Sequence, residues 1–262
     1  MNATLIIVII AAHCSMSLAA GDISTGVVRA TTAGRGQTAD SRIAYAFYSP
    51  SSSMPAYQRV INEAISVSVP FRMSDEEAPP SMSALSESYF LDVLQNFDKR
   101  YQQYITSAVD INEAPWTMID STMINDNLSI LGESIDIAQV TRFRYEFTGG
   151  AHGSSFTTVI LVSKSSGQKL NFEKDIIADL SGFTSVAETA FRKARKIPAK
   201  RSLRKAGYWF EQGFVLSENV QFSDNAITLI YNPYECAPYV MGEIRVSIPL
   251  KNVKHLLKMR SR

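Results

Sequence analysis

The stretch "TRFRYEFTGGAHGSSFTTVILVS", Thr141–Ser163, sets two runs of strand-forming residues on either side of a glycine-rich link. Alternation of apolar and polar side chains, together with β-branched and aromatic residues, predicts extended chain on both sides. "TGGAHG", at the end of one strand and the start of the next, would make a tight, exposed connection. The second run continues into "SKSSGQKLNF", where Ser165, Ser166 and Gly167 predict a hairpin turn. Upstream, "PWTMIDSTMIND" and "LSILGESIDIAQV" extend the same pattern into an antiparallel meander.

Helical spacing appears elsewhere in blocks. "AYQRVINEAISVSV" repeats apolar residues at Val60, Ile61, Ala64, Ile65 and Val67. "ALSESYFLDVLQNFDKRYQQYI" carries a broad apolar stripe from Leu85 to Tyr101, and "SVAETAFRKARK" is a third helix, basic at its C-terminal end as the helix dipole favours. "FVLSENVQFSDNAITLIYNPYE" and "GEIRVSIPL" return to strands, and "KNVKHLLKMRSR" reads as a short basic helix or tail. Strands and helices grouped in this way predict an α+β fold, mainly antiparallel sheet with helices packed on one face.

The first residues read differently. "ATLIIVIIAA", Ala3–Ala12, is apolar, small residues follow, and no charged side chain occurs before Asp22. This is the pattern of a secretory signal over residues 1–20, which places the rest of the chain in the periplasm or outside the cell. A retained membrane anchor is the alternative. Residues 21–41, small and polar, are expected as a flexible leader. Two subdomains, 42–150 and 151–257, then follow with a break near Gly150, and a basic tail spans 258–262. Loss of residues 1–20 leaves Cys236 as the sole cysteine, so no intramolecular disulfide forms. Its aromatic and apolar neighbours predict a buried thiol.

Charge is unevenly distributed. The whole chain carries 26 basic and 25 acidic residues, but residues 192–205, "RKARKIPAKRSLRK", hold eight basic groups and no acid. That segment is either a solvated helix end or a contact for an anionic surface. Nucleic acid is not expected as a partner, since no binding motif accompanies it.

Two clusters are candidates for function. In the first, Gly149, Gly150 and Gly153 flank His152; glycine permits positive φ and close backbone approach, so the group reads as a bent, exposed connection presenting an imidazole. In the second, Tyr231, Tyr234 and Tyr239 bracket Glu235 and Cys236, and tyrosines suit a half-buried contact surface. No catalytic motif is present: His152 and His255 stand far apart outside any zinc-binding frame, no G-x-S-x-G elbow occurs, and "GGAHG" lacks the Lys-Ser/Thr of a phosphate loop. No metal and no cofactor is expected. The competing reading is an envelope hydrolase with His152 as general base, oriented by Glu146 or Glu235.

The order of the "YEFTGGAHG" block, the hairpin ending in "SGQKLNFEKDI", a helix, and the closing "YNPYECAPYVMGEIRVSIPLKNVKHLL" resembles a known arrangement. It is similar to the paired extracytoplasmic domains of unknown function in the anti-sigma factor RsiV and in the N-terminal part of the peptidoglycan deacetylase PdaC. The resemblance implies a non-catalytic binding module that contacts a lysozyme-like protein or peptidoglycan. The sigma-binding and deacetylase functions are not carried over with it. The sequence leaves the oligomeric state open.

Overall fold

In the computed structural model, which describes residues 5–8, 23–34, 37–48, 51–68, 117–147 and 151–258, the stretch around His152 does join two strands. In chain order the strands are β1 (Leu5–Val8), β2 (Ile23–Gly34), β3 (Gln37–Tyr48), β4 (Thr117–Asn125), β5 (Ser129–Ile130), β6 (Glu133–Ser134), β7 (Ile137–Phe147), β8 (Ser154–Ser163), β9 (Lys169–Leu170), β10 (Asn219–Ser223), β11 (Ala226–Tyr231) and β12 (Ile244–Pro249). The α-helices are α1 (Ala56–Ser68), α2 (Leu180–Ala194) and α3 (Leu250–Val253). The fold is α+β and mainly antiparallel. Among the described residues, β3 and β4 run parallel, joined by the long crossover that begins with α1.

The chain divides into two compact units, Met1–Ile124 with Arg142–Ser154, and Asn125–Thr141 with Ser155–Arg262. This differs from the expected single break near Gly150. The residues of β7 and β8 are shared between the units, whose boundaries fall at Ile124–Asn125, at Thr141–Arg142 and, close to the glycine link, at Ser154–Ser155. The expected leader, residues 21–41, is also corrected: β2 and β3 occupy most of it and pair antiparallel from Ile23–Tyr48 to Gly34–Gln37. Thr25, Val27, Val28, Thr31 and Thr32 are β-branched, and that stiffness favours strand however small their neighbours are. Of the expected signal only Leu5–Val8 is described, paired with Arg29–Thr32. The predicted helix over residues 84–105 lies outside the described residues. So does residue 259 onward; Lys258 itself donates its N–H to the Ile176 carbonyl at 2.7 Å.

In the first unit α1 buries Tyr57, Ile61, Ala64 and Ile65 on one face. The Tyr57 ring meets Tyr48 of β3 edge-on, with centroids 6.0 Å apart. Asn62, also buried on that face, accepts the Tyr48 N–H at 2.9 Å and donates to its carbonyl at 2.8 Å. One amide side chain thereby satisfies both backbone groups of a buried strand residue, as a neighbouring strand would. Asp120 on β4, fully buried, receives Arg142 of β7 at two oxygens, 2.9 and 2.5 Å away. That fork geometry suits a guanidinium buried against a carboxylate.

The second unit is built on β10-β11-β12, whose inward residues Val220, Phe222, Ile227, Leu229, Val246 and Ile248 alternate with outward polar ones. Helix α2 starts at the Asp179 cap, which accepts the Gly182 N–H at 2.9 Å, and it buries Phe183, Ala187 and Phe191 at intervals of four. Its end folds back: Lys196 N–H donates to the Lys193 carbonyl and Ile197 N–H to that of Arg192. Lys196 takes φ +54 there, the left-handed position that glycine commonly fills in this motif. The Ser165–Gly167 turn forms as expected. Asp136 accepts the Ser165 N–H at 3.0 Å and the Ser163 hydroxyl at 2.8 Å, and Gly167 supplies φ +71.

Candidate functional site

Gly149 and Gly150 lie outside the described residues, so the first cluster is represented by His152 and Gly153, both in the first unit. The His152 imidazole is exposed, with Nδ1 3.0 Å from the Gly153 carbonyl oxygen. Gly153 is buried, and the need for glycine is not the one expected. Its φ is not positive; instead, a Cβ there would stand 2.5 Å from the Tyr145 hydroxyl and 2.6–2.7 Å from the ring. The residue is glycine because the backbone lies against the Tyr145 ring. We expect Gly153→Ala to lower the stability of the folded chain by about 1–3 kcal/mol through overpacking. A Gly153→Ala/Tyr145→Ala double variant should lose less than the two single losses added, since removal of the ring removes the clash. Urea unfolding of the four proteins measures this, and strict additivity would refute it.

Glu146, considered as a partner that orients the imidazole, is ion-paired with Arg144 at 2.9 Å. Glu235, the other candidate, belongs to the second unit, is exposed, and is engaged by its own turn. Its carboxylate accepts the Asn232 N–H at 2.7 Å and lies 3.4 Å from the Ser217 hydroxyl. Partial burial raises its pKa above the ordinary carboxylate range, and the bond from Asn232 works in the opposite sense. Glu235 therefore closes the Asn232–Glu235 turn. Burial likewise pushes the Cys236 thiol up to about 12, with the Glu235 charge adding and Arg195 partly offsetting. A buried thiol with that pKa is a packing group, as the sequence predicts.

The tyrosines do come together. The Tyr234 and Tyr239 rings lie with centroids 5.6 Å apart, tilted by 34°. Tyr234 is 57% exposed and its backbone sits at φ +67, in the left-handed region. Tyr231, by contrast, is buried and donates its hydroxyl to the Val215 carbonyl at 2.8 Å. Sequence reading missed what surrounds the pair. Trp209, half exposed, donates its backbone N–H to the Cys236 carbonyl at 2.8 Å, which fixes the 207–210 loop beside the tyrosine turn. Val240, next to Tyr239, is 87% exposed. Arg195 donates to the Tyr208 hydroxyl at 2.7 Å and reaches the Met241 sulfur at 3.6 Å, so the basic segment adjoins the same loops. Exposure of these side chains depends on how three loops converge, and spacing along the chain carries no signal for that.

Among the described residues, no group of three or more His, Cys, Asp or Glu side chains is placed to hold a metal ion. Nor is any helix among them long and apolar enough to cross a membrane.

No curated protein matches the chain. A DUF3298 family member from Bacteroides fragilis NCTC 9343 is similar in structure, with a TM-score of 0.58 and 17% identity over 91% of this chain and 94% of that one. A DUF3298 family protein from Pseudomonas aeruginosa PAO1 gives a TM-score of 0.53 and 19% identity over 90% and 94%. Likeness at these identities is one of fold. The narrower resemblance to RsiV and PdaC has no counterpart among these matches. Residues 172–251, from the turn before α2 into α3, match the family described as "Protein of unknown function (DUF3298)", within the fold that the chain shares with those two solved structures.

Proposed function

We propose that the chain is an extracytoplasmic, non-catalytic binding module whose first unit contacts a basic, lysozyme-like protein. The observation that carries this reading is the segregation of charge between the units. The first holds nine basic and thirteen acidic side chains, the second seventeen basic and twelve acidic. An acidic surface steers a basic partner into productive encounter and repels wrong ones. His152 gives that unit an exposed, polar contact residue seated on the Gly153–Tyr145 packing. The N-terminal apolar run is the basis for placing the chain outside the cytoplasm.

A cell-wall polymer is the other partner that the resemblance implies, and the two differ in charge. Retention of the full chain on immobilised lysozyme and on purified sacculi separates them. The proposal expects retention on lysozyme at low salt that falls as salt screens the interaction, and a weaker hold for His152→Ala. Retention on sacculi with none on lysozyme would refute the protein partner. For the hydrolase reading, the corresponding measurement is wall-fragment turnover that His152→Ala abolishes.

A further inference from the structure

The second unit presents a face that the charge of the first does not explain. It combines exposed Trp209, Tyr234 and Val240 with the basic segment 192–205, and the bonds from Arg195 to Tyr208 and Met241 hold the two parts together. Six of the eight basic side chains, Lys193, Lys196, Lys200, Arg201, Arg204 and Lys205, are exposed. The segment is folded into a fixed loop: Arg192 donates to the Arg201 carbonyl at 2.8 Å, and Arg201 to that of Lys205 at 2.9 Å. We propose that this face docks on an anionic lipid bilayer, with the basic loop on the headgroups and Trp209, Tyr234 and Val240 at the boundary with the acyl chains.

Charge complementarity selects an anionic partner, and the apolar side chains select a bilayer over a soluble polyanion. Each Lys or Arg close to an anionic membrane surface strengthens binding roughly five-fold, and the contribution decays within a Debye length. Burying an exposed aliphatic or aromatic side chain strengthens it roughly ten-fold or more. Neither set alone gives firm attachment, but the bonds of Arg195 bring the two sets onto adjoining loops. Trp and Tyr, with apolar rings and polar tips, are the residues enriched at the membrane–water boundary. The φ of +67 at Tyr234 fits the same picture. There a non-glycine residue in the left-handed region carries a half-exposed ring beside that of Tyr239.

Co-sedimentation of the full chain with phosphatidylcholine vesicles, with and without phosphatidylglycerol, tests the proposal. Binding is expected to the anionic vesicles and to weaken steeply with salt. Neutralising Lys200, Arg201, Arg204 and Lys205 to Gln should weaken it about 100-fold or more. Trp209→Ala and Val240→Ser should each weaken it about 10-fold. In a Trp116→Phe background, emission from Trp209 should shift to the blue on vesicle addition, a readout that stays valid if the charge variant fails to fold. The N-terminal apolar run is common to all these proteins, so the differences among them report on this face. Equal binding to both vesicle types, unchanged binding by the charge variant, or binding to sacculi with none to vesicles would each overturn the proposal.

Discussion

Replacing Phe191 by Ala is expected to lower the stability of the folded chain by about 3–5 kcal/mol, the range for deleting a fully buried aromatic ring. Phe191 lies on the buried face of α2 with no exposed surface, and four rings surround it: Tyr208 at 4.9 Å, Phe210 and Phe214 at 5.4 Å, and Tyr231 at 5.8 Å between centroids. Most of these contacts are edge-to-face, which adds about 0.5–1.5 kcal/mol per pair beyond area burial. Tyr208 and Phe210 flank Trp209 in the chain, so the same cluster positions the proposed docking loop. Phe191→Leu keeps most of the volume and should cost distinctly less than Phe191→Ala. Urea unfolding followed by circular dichroism measures both. A loss below about 1 kcal/mol for Phe191→Ala would mean that the cluster closes over the cavity, and would remove Phe191 as the anchor of this unit.

The sequence made some of this legible and hid the rest for identifiable reasons. Helix α2 was readable from Ser185 on, where Ala187 and Phe191 stand one turn apart and the basic residues gather at one end; its first turn from Leu180, with buried Phe183, was not. The Ser165–Gly167 hairpin was readable because turn chemistry is local. The β2–β3 pair was not, since the small polar residues of 31–41 look like leader when their strand partners are out of view. The parallel β3–β4 pair depends on a crossover that no local pattern announces. For Gly153, the presence of glycine was a true signal, but its cause is the Tyr145 ring eight residues away in sequence and not a bend. Tyr231, Tyr234 and Tyr239 were read as one cluster; Tyr234 and Tyr239 do lie together, but Tyr231 belongs to the core. Trp209, Val240 and Arg195 were not added to them, because exposure and convergence are properties of the folded loops. Glu235 was singled out for its charge, and that charge serves the turn.

Asn232 was also overlooked, although it offers the other large effect. It is buried, its Oδ1 accepts the Thr157 N–H at 2.7 Å, and its Nδ2 donates to the Thr157 carbonyl at 3.0 Å. Thr157 on β8 is itself fully buried, so Asn232→Ala leaves a donor and an acceptor without their partner in the interior. Each such group costs about 1–3 kcal/mol, and a loss of about 2–6 kcal/mol in urea unfolding is expected, with faster amide exchange at Thr157. Asn232→Asp separates the two bonds. The carboxylate still accepts the N–H but sets a second acceptor against the Thr157 carbonyl, whereas the protonated acid donates to it. The neutral form is therefore favoured in the folded state, which raises the pKa of the introduced Asp above its unfolded value of about 3.9. A raised pKa contributes stability that is fully present below the unfolded value and is lost as pH rises through the folded one. Asn232→Asp should thus approach the parent protein in mild acid and fall progressively short of it toward neutral pH. A deficit independent of pH would show that the donor to the Thr157 carbonyl does not matter, and that this amide acts through its N–H acceptor alone.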